Sequence, residues 1–406
     1  MTYQPNNNSY DAFGRVRTSD TGQRLDVEFL YDKSEEYIDE DVNGVSATVT
    51  HNTNSRDLTL TAGSTTNGEY AKMSSYPVPY TPGNSQLIDI TSVLDLANIG
   101  SGTAQTFIRT NVTGSVVETA VDQSSWDNNT SGVDWADSHI FMLDFQSLKV
   151  GSIRYYMVQN GVLVKINQVD NDNIRNTGYW QLANLPAYWK IYNDATYSYM
   201  ECGYGDEDNA IGFRYRITKN ASATMKAICC TVKSEGGFSL RDIGGIPRTV
   251  DNGVTVVTVS TTLIPLISIR PKSTFNSLAN LIISLPRSFF IQADESIRYA
   301  ILHDCGLTGA SWSDVDAGES CMEYDISATA VTNGHEVYSG YLYGSSSGAK
   351  GTIDAGAGSD VGVLGKNVLW YRSGSGSGSG ILTVAAVRSD ITDADCLAGF
   401  RWEEIR

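Results

Sequence analysis

Four histidines, 46 acidic side chains and six cysteines are the residues of this 406-residue chain whose types suit catalysis or metal binding. Nucleophilic catalysis needs a base beside the nucleophile. No GxSxG elbow or Cys–His signature surrounds His51, His139, His303 or His335. His139 opens an alternating apolar run and His51 closes one, so both read as polar residues at strand ends. Paired carboxylates for glycoside hydrolysis are the more serious enzyme candidate: Asp134 and Asp137 in GVDWADSH, and Glu201 on a tyrosine-rich run. That chemistry requires two carboxyls at a defined separation in an aromatic-lined cleft. With 46 acidic residues, plausible pairs arise by chance. No catalytic residue is assigned, and the chain is read as a non-enzyme.

Metal and cofactor chemistry is no better supplied. VDNDNIRN (169–176) resembles the start of a calcium loop but lacks the glycine turn and the distal glutamate. GDEDNA (205–210) is denser in carboxylates. Whether the acidic loops at 170–173 and 206–209 hold Ca²⁺ stays open, with a solvated turn as the simpler reading; no metal ligand or cofactor is assigned. Cys202, Cys229, Cys230, Cys305, Cys321 and Cys396 form no CxxC pair, and no histidine stands at zinc spacing. They read as free thiols, with one of the adjacent Cys229 and Cys230 pointing inward.

Sugar binding without catalysis has a candidate in SSWDNNTSGVDWADS, where Trp126 and Trp135 bracket a polar loop. Exposed indoles stack on sugar rings; the competing role is a cap on the fold or a subunit contact. Tyr338, Tyr341 and Tyr343 pose the same choice.

Elements that would position these residues are almost all strands. Short alternating runs bounded by Gly, Asn, Asp and Ser dominate, and helical periodicity is nearly absent. VSATVT (45–50), LTLTA (58–62) and SQLIDITSVL (85–94) are early examples. In the middle, GSIRYYMVQNGVLVKINQV (151–169) predicts a hairpin, because Asn160-Gly161 suits a type I′ turn. Arg154, Tyr156 and Val158 then share one face, and Ile153, Tyr155 and Met157 the other. KSEGGFSLRDIGGIPRT (233–249) carries two glycine pairs and a proline and reads as a linker. The expected architecture is all-β: an extended N-terminal arm (1–30), a first β-sandwich (31–232), a linker (233–250) and a second β-sandwich (251–406), both jelly-roll-like. SGSGSGSG (373–380) reads as a mobile hairpin loop.

A net charge of −17 and a pI near 4.6 disfavour nucleic acid and anionic membranes as partners. No window approaches about 20 apolar residues, and no secretory signal opens the chain.

Several segments occur together in order: NSYDAFGRVRTSD, YTPGNSQLIDIT, DFQSLKVGSIRYYMVQNG, ANLPAYW, KSEGG, LISIRP and the closing GFRWEEIR. Together they resemble a family of virion structural proteins of tailed bacteriophages, whose members carry an N-terminal DAFGR-type motif and end in a WEE-type strand. Val16 and the run Ser147-Leu148-Lys149 depart from the usual pattern. The resemblance implies a particle component and not an enzyme. The lack of a secretory signal fits assembly in the host cytoplasm and release by lysis, and an extended N-terminal segment that can bury its aromatics only against something else favours a homo-oligomer. The resemblance leaves open tail fibre, baseplate or collar, against a fibre or decoration on the capsid surface. Tail association and a trimer are the expectations; host-glycan binding and a polysaccharide-degrading tailspike are the alternatives. In this reading Tyr10, Asp11, Phe13, Gly14, Arg15 and Arg17 form an anchor to other virion proteins. Tyr10 and Phe13 act as apolar plugs, Gly14 permits a turn, and Arg15 and Arg17 pair with carboxylates. The competing reading has this segment pairing as an edge strand with its own first sandwich.

Overall fold

The computed structural model describes residues 21–405, except 35–37, 65, 79, 81–82, 98–101, 112–113, 129–131, 147–150, 172–177, 181–183, 220–221, 236–244, 280–282, 345–350 and 356–379. The chain divides into two compact units, Met1–Asp242 and Ile243–Arg406. Each is a β-sandwich, and no helix among the described residues is long and apolar enough to cross a membrane.

Among the described residues, fifteen strands build the first unit: β1 (Thr21–Glu28), β2 (Ile38–Asn43), β3 (Thr48–Asn52), β4 (Asp57–Ala62), β5 (Tyr70–Ser75), β6 (Gln86–Val93), β7 (Thr103–Thr110), β8 (Val117–Asp122), β9 (His139–Phe145), β10 (Ile153–Gln159), β11 (Val162–Val169), β12 (Ala187–Asn193), β13 (Tyr197–Gly205), β14 (Ala210–Thr218) and β15 (Ala223–Glu235). One sheet has the order β11-β10-β9-β6-β15-β4-β3, with β1 also on β15; the other is β2-β5-β12-β13-β14-β7-β8. All pairings in both sheets are antiparallel. Aromatic pairs close the space between the sheets: Phe141 to Phe213 at 4.5 Å, Phe145 to Tyr204 at 5.2 Å and Phe29 to Trp189 at 5.5 Å between ring centroids. Each such ring taken out of water contributes roughly 1.5–3 kcal/mol.

The Asn160-Gly161 hairpin forms as its residues dictate. Both lie at positive φ, 50° and 75°, which asparagine and glycine tolerate best. Ile153, Tyr155 and Met157 are fully buried, while Arg154 and Val158 are half-buried on the opposite face. Tyr156, on that outer face, is covered by Leu87, Met142 and Leu163.

Fifteen more strands among the described residues build the second unit: β16 (Ile246–Asp251), β17 (Val257–Val259), β18 (Ile264–Pro271), β19 (Thr274–Phe275), β20 (Leu278–Ala279), β21 (Ile283–Ala293), β22 (Ile297–His303), β23 (Gly306–Thr308), β24 (Ser313–Asp314), β25 (Met322–Asp325), β26 (Ala330–Thr332), β27 (His335–Leu342), β28 (Gly351–Ala355), β29 (Leu382–Arg388) and β30 (Ala394–Ile405). A five-stranded sheet centred on β30 and β21 faces a six-stranded one, β24-β25-β18-β29-β22-β27. Ile267, Ile269, Phe289, Ile291, Val384 and Phe400 are among the core residues between them.

Two expected boundaries move. Residues 21–28 of the predicted arm are a strand, because Thr21 to Glu28 pair with Glu235 to Cys229 along β15. The predicted linker narrows, since Lys233–Glu235 finish β15 and Ile246–Asp251 form β16. Gly236, Gly237 and Gly244 of the glycine pairs, and SGSGSGSG up to residue 379, fall outside the described residues.

Segments that carry the family resemblance have structural roles here. Asp144 of DFQ stands in register with Arg154 of GSIR, 3.7 Å apart, while Phe145 and Ile153 are buried. In the closing WEE, Trp402 and Glu404 are buried; Glu404 accepts hydrogen bonds from Ser320 Oγ (2.5 Å) and Trp402 Nε1 (3.3 Å).

Candidate functional site

Strand alternation sends every second residue of the seven-stranded sheet away from the core, and the register lines these residues into rows. One row runs Asp41, Lys72, Lys190, Glu201, Arg214, Gln105, Asp122, a single residue from each strand. Beside it run Asn43, Tyr70, Tyr192, Tyr199, Arg216 and Thr103. On the other side are Asp39, Ser74, Tyr188, Gly203, Gly212, Phe107 and Ala120.

The two central glycines make room. A Cβ on Gly203 would lie 2.2 Å from the Ile211 carbonyl oxygen, and one on Gly212 2.4 Å from that of Cys202. Across this bare floor Phe107, Tyr188 and Ala210 join in a small apolar cluster. The guanidinium groups of Arg109 and Arg214 lie over the Phe107 ring, 5.3 and 5.4 Å from its centre. Both also reach Glu201, at 3.3 and 3.5 Å, and Glu118, at 2.8 and 2.6 Å. Glu201 itself is 0% exposed and accepts a 2.9 Å hydrogen bond from the Tyr192 hydroxyl.

The electrostatics follow from this packing. Burial alone would lower the Arg109 pKa; Glu201, helped by Glu118, raises it instead, so the guanidinium stays charged. Burial and Glu201 both push the Tyr188 and Tyr192 phenols upward, keeping them neutral donors. Burial pushes Glu207 up, but Lys72 (3.0 Å) and Lys190 (2.5 Å) outweigh it and hold the carboxyl at about 2. Tyr192 and Tyr199 stack at 4.7 Å, and Arg216 covers Tyr197 at 4.7 Å. The result is a rigid face of paired charges, phenol hydroxyls and half-buried rings.

Other sequence-nominated residues are occupied elsewhere. Trp126 and Trp135 are 7% and 8% exposed, so neither offers an indole face to a sugar. Trp126 donates to the Val121 carbonyl at 3.0 Å and meets Trp135 edge-on. Trp135 stacks on Phe141 of one sheet and Tyr215 of the other, plugging the sandwich where the two sheets meet. Their proposed glycan role is thereby corrected to packing. Tyr341 and Tyr343 are exposed on and just beyond the edge strand β27, whereas Tyr338 packs on the second core.

Asp134 Oδ1 accepts the Ala136 N–H in its own loop at 3.0 Å. His51 and His139 bond the carbonyls of Phe29 and Asp134, each at 2.8 Å. In GDEDNA, Asp206 Oδ1 accepts the backbone N–H groups of Asp208 and Asn209, and Asp208 accepts from Asn111. Asp170 accepts from Ser152 and Gln168, which with Lys165 and Arg154 hold its carboxyl below the usual range despite some burial. Residues 172–173 of that loop lie outside the described residues. All six cysteines are unbridged; Cys230 is buried and Cys229 half-buried, as alternation requires.

The anchor residues Tyr10, Asp11, Phe13, Gly14, Arg15 and Arg17 lie outside the described residues. Asp20 is followed directly by β1, which lies along β15 with β4 continuing the same edge of that strand.

No protein-family model matches the chain, and comparison with curated proteins gives no match. Among solved structures, a Lotus tetragonolobus seed lectin is similar at 11% identity, covering 52% of this chain and 97% of its own, with a TM-score of 0.21. The Emp47p carbohydrate recognition domain is similar at 9% identity, with 55% and 100% covered and a TM-score of 0.21. A tandem CBM22 pair from Paenibacillus barcinonensis Xyn10C gives 10% identity, 96% and 98% coverage and a TM-score of 0.23. At TM-scores this low the assignment of two β-sandwiches rests on the sheet topology itself.

Proposed function

We propose that the chain is a non-enzymatic structural component of a tailed-bacteriophage particle, a homo-oligomer on the tail (fibre, baseplate or collar) held by the segment Tyr10–Arg17. The observation that supports this reading most is the junction at Thr21. The DAFGR-type motif enters β1 within a few residues, and β1 is paired with β15 from Thr21 to Glu28. A partner gripping the motif therefore pulls directly on the eight-stranded sheet. The alternative place is a fibre or decoration on the capsid surface. A reconstruction of the intact virion tests the reading: it predicts this chain on the tail, in symmetric copies, with residues 10–17 in a contact. Density on the capsid shell favours the alternative, and absence from the particle overturns both.

A second reading, host-surface glycan binding, is favoured by the charged and tyrosine-rich rows of the seven-stranded sheet. In this reading the sugar contacts Tyr70, Tyr197, Tyr199 and Lys190 rather than the tryptophan loop. Glycan-array binding by the wild type that is lost in Tyr199→Ala with Lys190→Ala supports it. An array without signal sinks it.

A further inference from the structure

Four cations on the outer face of the seven-stranded sheet are matched by carboxylates. Lys72 and Lys190 share Glu207, and Arg109 and Arg214 share Glu118 and Glu201. Arg216 is not matched. It is half-buried on β14, and its guanidinium has neither a carboxylate nor a hydrogen-bond acceptor among the described residues. The group lies over the Tyr197 ring, 4.7 Å from its centre, and Tyr197 in turn meets Tyr199 edge-on at 6.2 Å. Stacking of this kind holds the plane of a guanidinium and leaves its N–H donors, which lie in that plane, open at the edge.

The acidic residue bonded to Tyr199 is committed elsewhere. Asp194 Oδ1 accepts the N–H groups of Thr196 at 2.6 Å and Tyr197 at 2.7 Å, and Oδ2 accepts the Tyr199 hydroxyl at 3.1 Å. Burial would raise the Asp194 pKa, but these donors and Lys219 outweigh it and hold the carboxyl below the usual range. Its charge is therefore satisfied within its own turn. On the other side of Arg216 the register places Thr103 of β7, a hydroxyl and not a charge.

We propose that Arg216 recognises a sugar carboxylate, so that the glycan bound at this face is an acidic one, carrying uronic or sialic acid residues. The inference rests on the glycan reading above and adds the charge of the ligand to it. A planar guanidinium presents paired donors that match both oxygens of a carboxylate, which a neutral hydroxyl of the sugar cannot use in the same way. The half-buried rings of Tyr197 and Tyr199 border the same spot and offer surface to the rest of the sugar. A net charge of −17 repels anions at long range. Recognition is therefore expected at contact, on densely displayed glycans, and not as tight capture of a free monosaccharide.

A glycan array that carries each acidic glycan beside its carboxyl-reduced form, with the carboxylate converted to a primary alcohol, tests the inference on the full chain. The expected wild-type signal on acidic glycans falls about ten- to a hundredfold on the reduced forms, the worth of a hydrogen-bonded charge pair. Arg216→Ala should lose the same factor and bind both forms alike. Arg216→Lys, which keeps the charge but not the fork, should retain part of the preference. Arg216→Gln, which keeps the stem over Tyr197, takes the place of Arg216→Ala if that variant melts at a lower temperature than the wild type. Equal signals on acidic and reduced forms, or an acidic preference that survives Arg216→Gln, overturn the inference and leave the glycan reading standing. No signal on any glycan sinks both.

Discussion

Replacing Glu201 with glutamine removes one charge from the centre of the seven-stranded sheet and little else. The amide keeps the shape and still accepts the Tyr192 hydroxyl. What changes is the balance around Arg109 and Arg214, whose side chains are 10% and 7% exposed. Each guanidinium retains Glu118 as a carboxylate partner, itself 27% exposed and partly screened by water, and Arg214 also keeps its bond to Gln105. Leaving one side of a buried ion pair uncompensated costs about 3–5 kcal/mol. Because Glu118 remains, the expected loss is at the lower end, about 3 kcal/mol. For a unit of this size that lowers the unfolding midpoint by about 6–12 °C. Differential scanning calorimetry of the full chain reads it directly. A second variant sharpens the inference: Arg109→Met, Arg214→Met and Glu201→Leu together remove the three most buried charges and leave only the partly exposed Glu118. Such replacements are often neutral, so the triple variant should recover most of the loss. A fall of less than about 2 °C in Glu201→Gln, or a triple variant worse than the single one, would refute the reasoning.

Gly212→Ala should destabilise the first unit by at least about 2 kcal/mol, because its Cβ meets the Cys202 carbonyl oxygen at 2.4 Å; urea unfolding checks it. Trp135→Ala should cost about 3–5 kcal/mol by opening a cavity between the sheets, which thermal unfolding would show. Trp126→Phe should leave any glycan-array signal of the chain unchanged, since that indole is buried. Glu207 has a folded pKa near 2, below its ordinary value, so its pairing stabilises the fold above pH 4.5 and is lost as pH falls through 2. The Glu207 side chain is 58% exposed, and solvent screening keeps this contribution below about 1 kcal/mol. Acid titrations of stability in wild type and Glu207→Gln should therefore converge toward pH 2.

The fold class and the central hairpin were legible in the chain because both depend on neighbours in sequence. Alternation marks strands, and Asn160-Gly161 fixes its own turn. The rows of the seven-stranded sheet were not legible, because register joins residues far apart: Arg109 lies 92 positions from Glu201. Glu201 stood out only as an acid on a tyrosine-rich strand, which suggested catalysis. Its arginine partners become visible only with the pairing of β7, β13 and β14. The tryptophans misled for a related reason. A polar, asparagine-rich loop suggests exposure, but its two indoles turn inward to fill the gap between sheets. Strand β1 was hidden as well, since its partner begins some two hundred residues later; Asp26 and Thr231 are 205 apart.

Removing residues 1–20 from the chain tests the proposed particle role most directly, because β1 and both sandwiches stay intact. Quantitative mass spectrometry of purified particles should then show the protein missing from virions, while the purified variant unfolds at the wild-type temperature. Particles that retain it at full copy number, together with a lowered unfolding temperature, would contradict the account and assign the segment to its own sandwich.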